Sequence, residues 1–180
     1  MKSNLCTLSQ GTLHLDAIFA EVDQCASCNT LSRKCWLQLR LLAEELTGVL
    51  PALLKWSKGT FWLEYEGNHY ELHVSLKASF ENNGQREKLL AMSTSGKNAA
   101  AVGIMGKIRY AIEGAMLTKH SESDFSSKWT LQGYRFQAQS EQSKWDELEK
   151  SIIANLADDV IVAISGENVD ITIIKTFWLD

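Results

Sequence analysis

Two adjacent acids, Glu44 and Glu45, stand in the run Arg40-Leu41-Leu42-Ala43-Glu44-Glu45-Leu46-Thr47-Gly48 and are the first candidates for chemistry. At about 100° per residue Glu45 falls inside the apolar arc of a helix, beside Leu41, Leu42 and Leu46, while Glu44 falls beyond its edge next to Arg40. A carboxylate in an apolar surround has a raised pKa and suits a general acid, a base or a metal ligand. The structural alternative is that Glu45 reaches the rim and Glu44 pairs with Arg40 at i, i+4.

A second candidate is the polar stretch Ser93-Thr94-Ser95-Gly96-Lys97-Asn98 ahead of a helical pattern. A loop of small residues at a helix N-terminus offers backbone N–H groups and a positive dipole end to an anion. It is not a Walker loop, since Ala91 stands where that motif needs glycine and Asn98 where it needs Ser or Thr. Gly103 and Gly106 downstream allow close backbone approach to a ligand or to a neighbouring helix.

The other reactive side chains carry weaker patterns. His14, His69, His73 and His120 have no nucleophile elbow near them. His69 and His73 share a strand face but stand four residues apart, too far for a two-residue metal clasp, and no metal site is expected from them. Cys25 and Cys28 have C-x-x-C spacing without a second such pair, so Cys6, Cys25, Cys28 and Cys35 read as reduced structural thiols.

These residues need elements to position them. The expected order begins with a strand near Thr12–Asp16 and a helix over Ile18–Cys28, with Ser32 capping a long second helix. That helix carries Cys35, Leu39, Leu42, Leu46, Val49 and Leu53 on its core stripe, and Pro51 kinks or frays its last turn. Phe61–Tyr65 and Tyr70–Leu76 alternate around Gly67-Asn68 and predict a hairpin. Next come a turn at Glu81–Gly84, a helix over Arg86–Met92, and a helix from Ala99 with Val102, Met105, Ile108, Ile112 and Met116 on its apolar face. A serine-rich excursion, Thr118–Lys128, precedes a strand from Trp129 to Ala138 with Gly133 inside it. A helix over Trp145–Leu156 and a hairpin of Val160–Ile164 and Val169–Phe177 close the pattern.

Paired strands separated by helices predict an α+β fold, a two-layer sandwich whose mixed, mainly antiparallel sheet is covered by helices on one face. The 180 residues suit a single domain, with the segment 118–139 the least regular part. A net charge of −4 without a basic stripe excludes phosphate-backbone neutralisation, so no nucleic-acid partner is expected. With no leader-like apolar run and no span of about 20 apolar residues, a cytoplasmic protein without membrane contact is expected.

The element order and the long helix resemble the histidine-kinase-like ATPase superfamily, and within it the small anti-sigma-factor serine kinases. The resemblance covers most of Thr7–Phe177. It implies a leading strand, two helices, a hairpin, a lid-like region with a helix, and closing strands. It also implies an E-x-x-x-N box on the second helix, whose Glu positions the attacking group and whose Asn holds magnesium. Glu44 and Thr47 match that box, but Gly48 replaces the Asn and has no side-chain oxygen for a metal. The adenine-reading D-x-G motif has no counterpart in Val74–Phe80, and the later glycine box is echoed only by Gly96, Gly103 and Gly106. The resemblance therefore implies a non-enzymatic regulatory protein with a degenerate nucleotide site, a protein partner and no cofactor. The alternative it leaves is an atypical ATP- and magnesium-dependent serine kinase, with Glu44 or Glu45 as base and Gly48, Ser93, Ser95, Gly96, Lys97, Gly103 and Gly106 around the nucleotide.

Overall fold

The computed structural model describes residues 1–9, 14–78, 106–109, 111–112, 127–139 and 151–178. In chain order the elements are β1 (Cys6–Leu8), α1 (Leu15–Cys28), α2 (Arg33–Leu53), β2 (Trp56–Glu66) and β3 (His69–Ala78). After them come β4 (Ser127–Thr130), α3 (Leu131–Ala138), α4 (Ile152–Leu156), β5 (Asp159–Ser165) and β6 (Asn168–Thr176). The six strands form one sheet in the order β1-β2-β3-β6-β5-β4, and every pairing is antiparallel. The α+β sandwich expected from the sequence is the architecture observed.

Alternation along the strands sorts the two faces of the sheet. Phe61 and Leu63 of β2, Tyr70, Leu72, Val74 and Leu76 of β3, Val160, Val162 and Ile164 of β5, and Val169, Ile171 and Ile173 of β6 all point into the core. The same buried cluster takes Ile18 and Val22 from α1, Leu39, Leu42, Leu46 and Leu50 from α2, and Leu131 and Ile153 from α3 and α4. Burying a side chain of this size contributes roughly 1.5–3 kcal/mol, so the helices are held mainly by this shared face. The outer face carries the polar partners of the alternation, among them Glu64, His69, Glu71, His73 and Thr172.

Both long hairpins turn on a glycine in the left-handed region. Gly67 (φ 59°) starts the two-residue connection from Glu66 to His69, and Gly166 (φ 66°) starts that from Ser165 to Asn168. Glycine takes such angles without a Cβ penalty, which fixes the register of each pair. The two hairpins then meet at β3 and β6, where His73 faces Thr172 and His69 faces Thr176.

Helix α2 starts where expected, with Ser32 Oγ accepting from Cys35 N at 3.3 Å. It runs past Pro51 to Leu53 and ends with a long 3.5 Å bond from Leu54 N to Leu50 O. It packs on α1 through Asp23, whose carboxylate accepts from Trp36 Nε1 at 2.7 Å and from Arg40 Nη1 at 2.6 Å. The alternative pairing of Arg40 with Glu44 is not the one formed: across the interface Asp23 offers a fixed acceptor, and Phe19 lends its ring face to the same guanidinium.

Three further expectations are corrected at element level. Cys6–Leu8 forms a strand, and Leu15 and Asp16, expected at the end of a strand over Thr12–Asp16, instead open α1, where an acid suits the dipole; residues 12–13 lie outside the described residues. Trp129–Ala138 is not a strand; β4 ends at Thr130, whose Oγ1 accepts from Gly133 N at 3.1 Å and caps α3. Asp159 Oδ1 satisfies the next free donor, Gln132 N, at 2.9 Å. At the chain's other expected helices, Gly106–Arg109 and residues 111–112 are helical, with Ile108 and Ile112 buried as expected, and Ile152–Leu156 is helical. The elements expected over Glu81–Asn98, Ala99–Met105, Thr118–Ser126 and Trp145–Lys150 lie outside the described residues.

Candidate functional site

Helix α2 gives the two adjacent acids different surroundings and puts Gly48 on the same exposed side as Glu44. Glu44 is exposed, Glu45 is half-buried, and Gly48 is exposed with open space where a Cβ would stand. Thr47 is buried, and its hydroxyl donates back to Ala43 O at 2.8 Å and Glu44 O at 3.0 Å, so it serves the helix rather than a ligand. Ser93, Ser95, Gly96, Lys97 and Gly103 lie outside the described residues, while Gly106 is buried in a helical turn. Lys77, at the end of β3, is exposed with Glu167 Oε2 3.5 Å from its ammonium.

All four cysteines are free thiols, with Cys25 buried and Cys28 exposed. Burial pushes the Cys25 thiol up to about 11, helped by the charge of Glu21 nearby.

The titratable groups that do converge sit on the outer face of the sheet, and the sequence reading passed over them as a set. Strand alternation puts His69, Glu71 and His73 on that face of β3. The tight turn at Gly67-Asn68 fixes Glu64 of β2 directly opposite Glu71 and Trp62 opposite His73. Ligand atoms of Glu64, Glu71 and His73 all lie within 4.8 Å of one another. Glu71 stands between the two imidazoles: His69 Nε2 is 3.1 Å from its Oε1 and His73 Nε2 is 3.1 Å from its Oε2. On the far side of each ring a β6 threonine meets Nδ1 at 3.1 Å, Thr176 for His69 and Thr172 for His73.

Glu64 is held from the other flank. Its Oε1 accepts from Lys2 Nζ at 3.0 Å and from Trp62 Nε1 at 2.9 Å, and these two contacts hold its carboxyl below the usual carboxylate range. Lys2 also lies 4.6 Å from the centre of the Trp62 ring, whose other neighbour is the His73 ring, stacked at 4.9 Å with only 7° between planes.

His73 is the most enclosed member, with 16% of its side chain exposed against 32% for Glu71, 42% for His69 and 45% for Glu64. Burial pulls its imidazole below the ordinary value, although Glu71 and Glu64 push the other way. Its Nε2 is fully buried, and the 3.1 Å approach of Glu71 is not aligned as a hydrogen bond, leaving that nitrogen without a hydrogen-bond partner among the described residues. Beside the cluster, Met1, Glu64, Tyr65, Glu66, His69 and Glu71 line an open cleft of about 170 Å³. The set can therefore accept a cation or relay a proton along the face of the sheet.

No protein-family model matches the chain, and no curated protein matches it in sequence. Among the described residues no helix is long and apolar enough to cross a membrane.

Proposed function

We propose that the chain is a regulatory, partner-binding protein with the architecture of the histidine-kinase-like ATPases and without their nucleotide chemistry. The observation that carries this reading is Gly48. It stands at the position of the metal-holding Asn in the resemblance, on an exposed turn of α2, and among the described residues no side chain comes within 4 Å of its Cβ position to substitute for the missing oxygen. Glu44, the matching acid, is on the same solvent side, one turn away. Magnesium needs oxygen ligands in close to octahedral array, and on the exposed face that Gly48 shares the helix supplies one carboxylate, that of Glu44, with Glu45 turned to a half-buried position.

The element order supports the kinship. A leading strand, two helices and a hairpin precede the central region, and paired strands close the sheet. The buried stripe of α2 is what keeps this arrangement, and it is independent of the damaged box.

Calorimetric titration of the full chain with Mg-ATP tests the reading. The expected result is no saturable heat up to millimolar nucleotide. Millimolar or tighter binding that Glu44→Ala abolishes would overturn it in favour of the ATP-dependent kinase alternative.

A further inference from the structure

We propose that Glu64, Glu71 and His73, brought together on the outer face of the β2–β3 hairpin, bind a divalent first-row transition ion of the zinc type. This inference is independent of the nucleotide question, since the cluster lies on the sheet face opposite the core that packs the helices.

The starting point is an electrostatic conflict. Glu64 and Glu71 are directly opposed across neighbouring strands, a like-charge placement that destabilises a sheet. Positive charge at that point relieves it. Lys2 supplies some to Glu64 from the flank, at a half-exposed pair that is worth little. Among the described residues Glu71 meets the two imidazoles, His69 Nε2 and His73 Nε2, each at 3.1 Å, and no lysine or arginine. A cation between the two carboxylates and His73 Nε2 removes the conflict for all three groups.

The spacing and the donor set favour a small ion with mixed ligands. Bonds of about 2.0–2.2 Å in tetrahedral array put neighbouring ligand atoms about 3.3 Å apart, close to the 3.1 Å between Glu71 Oε2 and His73 Nε2. Calcium and magnesium take oxygen ligands, whereas an imidazole beside carboxylates suits zinc and its neighbours. His73 also has the outer support that metal-bound histidines use: Thr172 Oγ1 meets Nδ1, which orients the ring and fixes the nitrogen turned to Glu71. Stacking on Trp62 holds the ring plane. Three protein ligands leave one position open, and the cleft lined by Glu64, His69 and Glu71 gives an ion a way in from solvent.

Calorimetric titration of the full chain with zinc chloride, with magnesium and calcium chlorides in parallel, tests the site. One zinc per chain is expected, bound at least 10-fold more tightly than either alkaline-earth ion. Glu71→Gln keeps the side-chain volume and should weaken zinc at least 10-fold, as should His73→Ala. Thr172→Val, which touches no ion, should cost about 10–100-fold through loss of ring orientation. Lys2→Ala should tighten binding by removing the competing ammonium. Absence of zinc binding, or unchanged affinity in Glu71→Gln, would overturn the assignment. So would a loss seen only in Cys28→Ser, which would place the ion on the thiols of α1, and so would equal affinity for magnesium.

Discussion

Arg135 shows how much one side chain can organise here. From α3 its guanidinium donates to Ala154 O, Ala157 O and Asp158 O, covering carbonyls that the short helix α4 leaves free at its end. Replacing Arg135 with Met should lower stability by about 2–4 kcal/mol, read from urea unfolding, because charged hydrogen bonds are each worth about 1.5–3 kcal/mol and strand their partners when lost. Alkaline pH probes a different pair. Cys25 is held up to about 11 and Tyr70 up to about 12, both chiefly by burial. Each keeps its proton in the folded state above the pH at which the unfolded chain loses it, from ordinary values of 9.0 and 10.0. Their contribution is therefore complete below pH 9 and is lost as pH rises from 9 towards 12. Denaturation midpoints measured across that range should fall, and Phe substituted for Tyr70 should flatten the upper part of the fall. The same reasoning ranks the thiols: at pH 8 exposed Cys28 should alkylate well before Cys25.

At the scale of elements, what was legible in the sequence depended on how far each period ran. The stripe of α2, Cys35 to Leu53, spans about five turns and the β2–β3 alternation spans two strands about a glycine turn, so both are found where the pattern puts them. Residues 131–138 failed for a physical reason: Tyr134, Phe136 and Ala138 mimic alternation, yet Leu131, Tyr134 and Ala138 are buried at helical spacing and Phe136 is exposed. The signal lay in Thr130, a capping residue directly before that run. The Glu64–Glu71–His73 set was also readable, because a two-residue turn at 67–68 dictates which residues face each other. The spacing of His69 and His73 along their own strand carries no sign of Glu64, which reaches the set from the facing strand. Two glycines separate backbone need from accident. Gly48 lies in a helix with free space around it, so Gly48→Ala should stabilise the chain by about 0.5–1 kcal/mol. In β2, a Cβ on Gly59 would stand 2.6 Å from Leu76 Cδ2 and 3.1 Å from Leu8 Cβ, so Gly59→Ala should cost about 1–3 kcal/mol. Thermal melts of the two variants should move in opposite directions.

For the whole molecule, an ion held only by the folded sheet raises stability by mass action, by about 2.7 kcal/mol at 100 times its dissociation constant. Zinc should accordingly raise the melting temperature of the chain, and a chelator should return it. The sheet order gives that linkage a sharper meaning. Among the described strands its halves, β1-β2-β3 and β6-β5-β4, pair along β3 and β6, strands that lie some 90 residues apart in the chain. Each hairpin can form early from local contacts, while the seam must wait for closure of a long loop, which is the slow part of antiparallel assembly. The threonines that orient His69 and His73 come from across this seam. A chain whose hairpins have formed but have not yet met holds both imidazoles unoriented, and so has the residues of the cluster without its geometry. During refolding, high-affinity zinc uptake should lag hairpin formation and coincide with the joining of the two halves, making the cluster a clock for the last step of folding.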